Sequence, residues 1–193
     1  MLRLFEVVFL CLLSVVVHAE IQEYCLKQLP SRLFLEKDVP QNMQFLSDYK
    51  QLINYEVLND GKGWGYSLKY QNAYCEVIIY IYNRQKSTIT DSDVDDELLY
   101  FDGFVPSGQF SKNVGTEVFK GYAGMAIVDE KIGQQTQMVS LAQTENQFVK
   151  YRTSCRKMSD LSEAANYRMA DQFTTNVIKG TYAKLSECLK KTN

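Results

Sequence analysis

Nucleophilic and acid–base chemistry near neutrality usually begins with histidine, and this 193-residue chain has a single one, His18. It sits in a stretch with the marks of a secretory leader: Arg3 as the positive end, an apolar run over residues 7–17, and Val17-His18-Ala19 as a cleavage site. Removing residues 1–19 leaves a chain that starts at Glu20 and has no imidazole. That excludes Ser-His-Asp and Cys-His hydrolases, two-histidine zinc peptidases, and a general acid or base of ordinary pKa near neutrality. Chemistry is left to carboxylates, lysines, tyrosines and thiols.

The thiols read as structural. Of five cysteines, Cys11 falls in the leader, and Cys25, Cys75, Cys155 and Cys188 remain. An even number in an exported chain favours two disulfides, and the sequence leaves three connectivities open. The preferred pairing is Cys25 with Cys188, which ties the terminal segments, and Cys75 with Cys155, which joins two strand ends. No C-x-x-C spacing supports a zinc site, and neither a metal nor another cofactor is implied. Neither Cys11 nor Cys25 follows the small residue that lipidation requires. The apolar run of the leader is shorter than the roughly 20 residues that cross a bilayer, and no second run follows, so no transmembrane segment is expected in the mature chain.

Each remaining chemical motif competes with a plainer reading. Ser47-Asp-Tyr-Lys50 matches S-x-x-K, but the S-D-N and K-T-G partners of the penicillin-binding and β-lactamase enzymes are missing. Gly61, Gly63 and Gly65 suggest a phosphate loop, yet a strand follows them instead of a helix. Asp91, Asp93 and Asp95 look like the start of a calcium loop, but Asp96 stands where its glycine belongs; helix capping accounts for the same carboxylates. Lys150 and Arg152, beside Phe148 on one strand face, can hold an anion if that face meets solvent. Trp64, between two glycines that give it no cover, reads as an exposed aromatic contact. The net charge of −2 is unchanged by loss of Arg3 and Glu6 and argues against nucleic acid as a partner.

The elements that position these residues follow from periodicity. Residues 20–52 read as two short helices interrupted by Pro30 and Pro40, and residues 53–58 as a first strand. Residues 64–71 alternate, with Tyr66, Leu68 and Tyr70 on one face. Residues 75–83 are apolar on both faces and read as a central, doubly covered strand. A helix capped by Asp91 or Ser92 runs towards Gly103, and residues 106–115 read as an exposed loop. Residues 121–132, 137–144 and 147–155 form an antiparallel meander turned at Gly133 and at Glu145-Asn146. A D-x-x-E capping box at Asp160 and Glu163 opens the longest helix, with Gly180 as a bend or break. The expected whole is one α+β domain over residues 20–193: an antiparallel sheet of about five or six strands with helices packed on it.

The strand Gly63-Trp-Gly-Tyr-Ser-Leu-Lys-Tyr70, the strand Val77-Ile-Ile-Tyr-Ile-Tyr82, the helix start Asp96-Glu-Leu-Leu and the strand Phe148-Val-Lys-Tyr-Arg152 resemble a group of uncharacterised exported proteins of Gram-negative bacteria. That resemblance covers residues 55–153 and implies no activity. The order of elements is also similar to Mog1/PsbP-like domains, which implies an accessory or protein-binding role. Together these point to a periplasmic or secreted binding protein, with an unknown protein or a small anionic ligand as partner. A small carboxylate-based hydrolase of glycan or peptidoglycan is the alternative, because paired Asp and Glu residues need no histidine.

Overall fold

The computed structural model describes residues 21–30, 33–34, 45–46, 51–57, 63–71, 74–83, 88–98, 104–129, 133–144 and 147–191. The expected leader with His18, the Ser47 and Lys50 pair, Gly61 and the turn expected at Glu145-Asn146 fall outside them. A helix over residues 21–27 (α1) precedes a two-stranded pair, β1 (Leu33–Phe34) and β2 (Phe45–Leu46). Phe34 and the segment around residue 45, expected to be helical, thus pair as strands instead. The stretch between Pro30 and Pro40 holds too few residues to nucleate a stable helix, and Phe45-Leu46 is held as a strand by its pairing with Leu33-Phe34.

The main sheet has seven strands, all antiparallel. They are β3 (Gln51–Val57), β4 (Gly63–Gln71), β5 (Cys75–Asn83), β6 (Phe104–Val114), β7 (Glu117–Asp129), β8 (Gly133–Gln143) and β9 (Gln147–Arg156). Their order across the sheet is β3-β4-β5-β9-β8-β7-β6. The chain builds one hairpin series, crosses through α2 (Asp91–Leu98), and returns as a four-stranded meander whose last strand closes on β5. The meander expected over residues 121–155 is present.

Strand β6 adds to the expected sheet and corrects the loop assigned to residues 106–115. Pro106, Gly108 and three polar residues in succession hide its alternation, and a bulge between Pro106 and Gly108 shifts its register with β7. Proline and a bulge are tolerated because β6 lies at the sheet edge. A two-residue turn, Gly115-Thr116, joins it to β7, and Gly115 takes the positive φ of 66° that such hairpins require. The most deeply covered strand is β9, at the middle of the order. The expected double cover of β5 holds fully only for the face carrying Val77, Ile79 and Ile81; Ile78 and Tyr80 on the other face are half-buried.

Helix α3 (Glu163–Lys191) lies across one face of the sheet. Its buried stripe of Met169, Phe173, Val177, Ile178, Leu185 and Leu189 meets Tyr70, Ile79, Met138, Val149 and Tyr151 in one core. The cap lies two residues after the expected Asp160: Ser162 accepts the Ala165 amide at 3.2 Å and the helix starts at Glu163. Buried Asn166 then binds the linker from β9, accepting from the Met158 amide and donating to carbonyls at residues 158, 161 and 162. Gly180 does not end α3, which runs through it unbroken. It sits under Leu33, where an added Cβ would come within 3.1 Å of that side chain.

Both preferred disulfides are formed. Cys75 and Cys155 are opposite residues of β5 and β9, 4.1 Å apart at Cα, and Cys25 joins α1 to Cys188 near the end of α3 at 5.7 Å.

Candidate functional site

Period two puts Phe148, Lys150 and Arg152 on the face of β9 opposite α3, as their spacing predicts. The register aligns Lys150 with Tyr80 of β5 and Leu141 of β8, and Arg152 with Ile78 and Val139. At Phe148 and Lys150 that face is not open to solvent, which corrects the expectation there: Phe148 is 1% exposed and Lys150 6%. Val139 and Leu141 are buried there too, and α2, which carries buried Val94, docks on β7. A lysine tolerates this depth because its ammonium lies 4.5 Å from the centre of the Tyr80 ring, and cation–π attraction offsets part of its desolvation. Arg152 stays half-exposed.

Trp64 belongs to β4 opposite Glu56, three residues along from the Ser67 that aligns with Lys150 through Tyr80. Its side chain is outside the described residues. The structure therefore gathers Phe148, Lys150 and Arg152 on one face without making them a solvated anion site. Among the described tyrosines, Tyr70 and Tyr151 are buried, Tyr80 and Tyr122 are half-buried, and Tyr24 is exposed.

The three aspartates of α2 separate. Asp93 is buried and closes a capping box with Thr90, accepting from the Thr90 amide at 2.8 Å and its hydroxyl at 2.7 Å. The cap is thus Thr90, not Asp91 or Ser92, and its hydroxyl accepts from the Asp93 amide. Asp91 pairs with Lys120 at 3.0 Å, and Asp95 accepts from the Tyr122 hydroxyl at 2.6 Å. These carboxylates fasten α2 to β7 and point to different partners. Among the described residues no group of His, Cys, Asp or Glu is placed to hold a metal. Gly63 and Gly65 lie within β4, paired with Val57 and Tyr55, so their backbone is committed to the sheet.

A cleft of about 430 Å³ opens on the α3 side, between the Gly115-Thr116 turn and the C-terminal half of α3. That volume is within the range of small-molecule sites. Its floor is Val114, Ile178 and Tyr182, all buried, and its rim carries Glu117, Lys179, Glu187 and Lys190. The floor is rigid. The Tyr182 ring meets Phe119 edge-on at 5.1 Å, and its hydroxyl donates to the Gln143 carbonyl at 3.0 Å. Burial, with the charge of Glu117 adding to it, pushes the Tyr182 hydroxyl up to about 12. Lys191 holds the Glu187 carboxyl below the usual range through a 2.6 Å bond.

Sequence reasoning missed this cleft because half of it is the hairpin of β6. The available signal was on α3, where Lys179, Ala183, Ser186 and Lys190 make a strip of small and charged residues beside the apolar stripe. Such a strip marks a helix edge that a neighbour leaves uncovered. No protein-family model and no curated protein matches this chain, so the cleft's geometry carries the functional argument.

Proposed function

We propose that this protein is an exported, non-enzymatic binding protein of the bacterial envelope, periplasmic or secreted, and that the cleft beside α3 is where it binds. The cleft carries this reading: a floor fixed by Tyr182 and Phe119, on a scaffold closed by two disulfides. The disulfides favour an oxidising compartment, in keeping with the leader-like N terminus. Among the described residues no helix is long and apolar enough to cross a membrane. The resemblance to exported Gram-negative proteins and to Mog1/PsbP-like domains, with their accessory roles, favours the same reading.

The test is an amide NMR screen of a fragment set against the whole mature chain. Hits should perturb residues 114–117 and 178–190 and disappear in Ala183→Trp, which fills the cleft from an exposed helix position. Hits elsewhere that survive this substitution would refute the assignment. Intact mass of the product exported by a Gram-negative host should correspond to a chain starting at Glu20.

A carboxylate hydrolase is the second reading, favoured by two glutamates, Glu117 and Glu187, lining one cleft. Against it, Lys191 moves the Glu187 carboxyl opposite to what a general acid needs. Peptidoglycan turnover lost in Glu117→Gln would reverse the ranking.

A further inference from the structure

Four charged residues line the cleft, and Glu117 differs from the other three. Lys179, Glu187 and Lys190 are exposed on α3, and Glu187 is held by Lys191. Glu117 is half-buried, and the strand period places it on the same side of β7 as buried Phe119, towards α3. It makes no ion pair with the described residues, and its charge acts on Tyr182 in the floor. A carboxylate partly removed from water beside an apolar floor gains from an incoming cation more than a fully solvated one does.

The lysines do not make an equivalent site for an anion. Lys179 and Lys190 are eleven positions apart on α3, roughly 16 Å at 1.5 Å per residue. They stand at opposite ends of the cleft and do not converge on one small group.

We propose that the cleft takes an organic ammonium ion with an apolar body, the ammonium on the Glu117 carboxylate and the body on Val114, Ile178 and Tyr182. This rests on the cleft being the binding site. The position of Glu117 at the entrance of β7 then sets charge preference, while the floor accepts the body by burial alone.

Three probes with one apolar body and different heads test it: hexylammonium, hexanol and hexanoate, titrated into the mature protein and followed by amide NMR. Hexylammonium should bind about tenfold more tightly than hexanol, the worth of one charge-assisted hydrogen bond, and hexanoate least. In Glu117→Gln, hexylammonium should fall to the level of hexanol while hexanol is unchanged, and Glu117→Asp should restore part of the preference. An unchanged amide spectrum away from residues 114–117 shows that the variant is folded. If hexanoate binds best, or Glu117→Gln leaves hexylammonium unaffected, the ammonium preference is wrong and the cleft still binds. If none of the probes perturbs residues 114–117 and 178–190, both the preference and the cleft assignment fail.

Discussion

Under α3 the sheet presents Leu68, Tyr70, Val77, Ile79, Met138, Val149 and Tyr151, whereas the face that α2 docks on mixes Val139, Leu141 and Phe148 with Lys69, Glu76, Lys120, Tyr122 and Lys150. Polar groups occur on both, but they are handled differently. Under α3, Thr174 and Thr181 are short hydroxyls held at depth. Thr174 donates to the Ala170 carbonyl at 2.7 Å and lies 2.8 Å from the Thr153 hydroxyl, and Thr181 donates to Val177 and meets the Tyr151 hydroxyl at 3.0 Å. On the other face, buried Lys150 apart, they are long charged side chains paired near the surface: Lys69 with Glu76 at 2.9 Å, and Lys120 with Asp91. Desolvation makes a lost partner expensive on the first face and cheap on the second. The α3 face therefore fixes the architecture, and the cleft inherits its rigidity.

The severest break of this contrast is at Gly121, where β7 and β8 meet under α3. A Cβ there would lie 1.7 Å from the Val139 carbonyl oxygen and 3.0 Å from the Phe110 ring. Backbone of a central strand cannot move aside as a side chain can, so Gly121→Ala should cost more than about 3 kcal/mol. Urea denaturation should show a midpoint lowered far beyond that of any substitution on the α2 face. A loss below about 1 kcal/mol would mean that the strands separate readily at this point.

The disulfides come next. Replacing either pair with serine should cost about 2–5 kcal/mol, and chain entropy makes the 163-residue span of Cys25–Cys188 worth about 0.6 kcal/mol more than the 80-residue span of Cys75–Cys155. Their reactivity should differ more than their energies. Cys188 is half-exposed, while Cys75 and Cys155 are buried between β5 and β9. Mild reductant followed by alkylation and mass analysis should label Cys25 and Cys188 first; earlier labelling of Cys75 and Cys155 would contradict the burial.

Thr181→Val removes the acceptor for buried Tyr151 while keeping the shape, and should cost about 1–3 kcal/mol. Its counterpart across the sheet, Tyr122→Phe, removes a bond made near solvent and should cost less. Alkali separates the same two tyrosine classes. Burial raises Tyr70 and Tyr151 well above the ordinary phenol value, and Tyr182 to about 12, while Tyr122 is raised chiefly by its bond to Asp95. A phenol raised in the folded state keeps its proton there after the unfolded chain has released it. Its stabilising contribution is thus complete below about pH 10 and, for Tyr182, is lost as pH rises from there through about 12. Phenolate absorbance should show Tyr122 ionising before the three buried tyrosines, which should ionise together with unfolding. Smooth titration of every tyrosine in a folded protein would be inconsistent with this.

The parts of the fold legible in the sequence were those where pattern and burial agree. Leu68 and Tyr70 show as one face of an alternating strand and Val77, Ile79 and Ile81 as part of an unbroken apolar run, because both sets meet the core under α3, and the cysteines at strand and chain ends had partners that geometry could bring together. Strand β6 was hidden because an edge strand with Pro106 and Gly108 is held by pairing with β7 more than by its own preferences. The cap at Thr90 was missed because Asp91 and Ser92 are equally good capping residues, and only the burial of Asp93 selects the box. At Lys150 alternation revealed the face but not what lies over it, and lysine is seldom buried. The cleft depends on two segments some 65 residues apart meeting side by side, a relation no local pattern encodes.

The smallest effect expected is at the Lys120–Asp91 pair, where α2 is tied to β7. The Asp91 side chain is 71% exposed and that of Lys120 34%, so water and salt screen most of their attraction at 3.0 Å. Lys120→Gln should change stability by no more than about 0.5 kcal/mol, and 0.5 M salt should remove even that difference. Local behaviour should be more sensitive than global stability, because this pair and the bond from Tyr122 to Asp95 tie this short helix to β7. Hydrogen exchange in residues 91–98 should accelerate in Lys120→Gln while residues 163–191 keep their protection. Equal acceleration in both would show that the two faces open as one unit, and the division of labour between them would have to be abandoned.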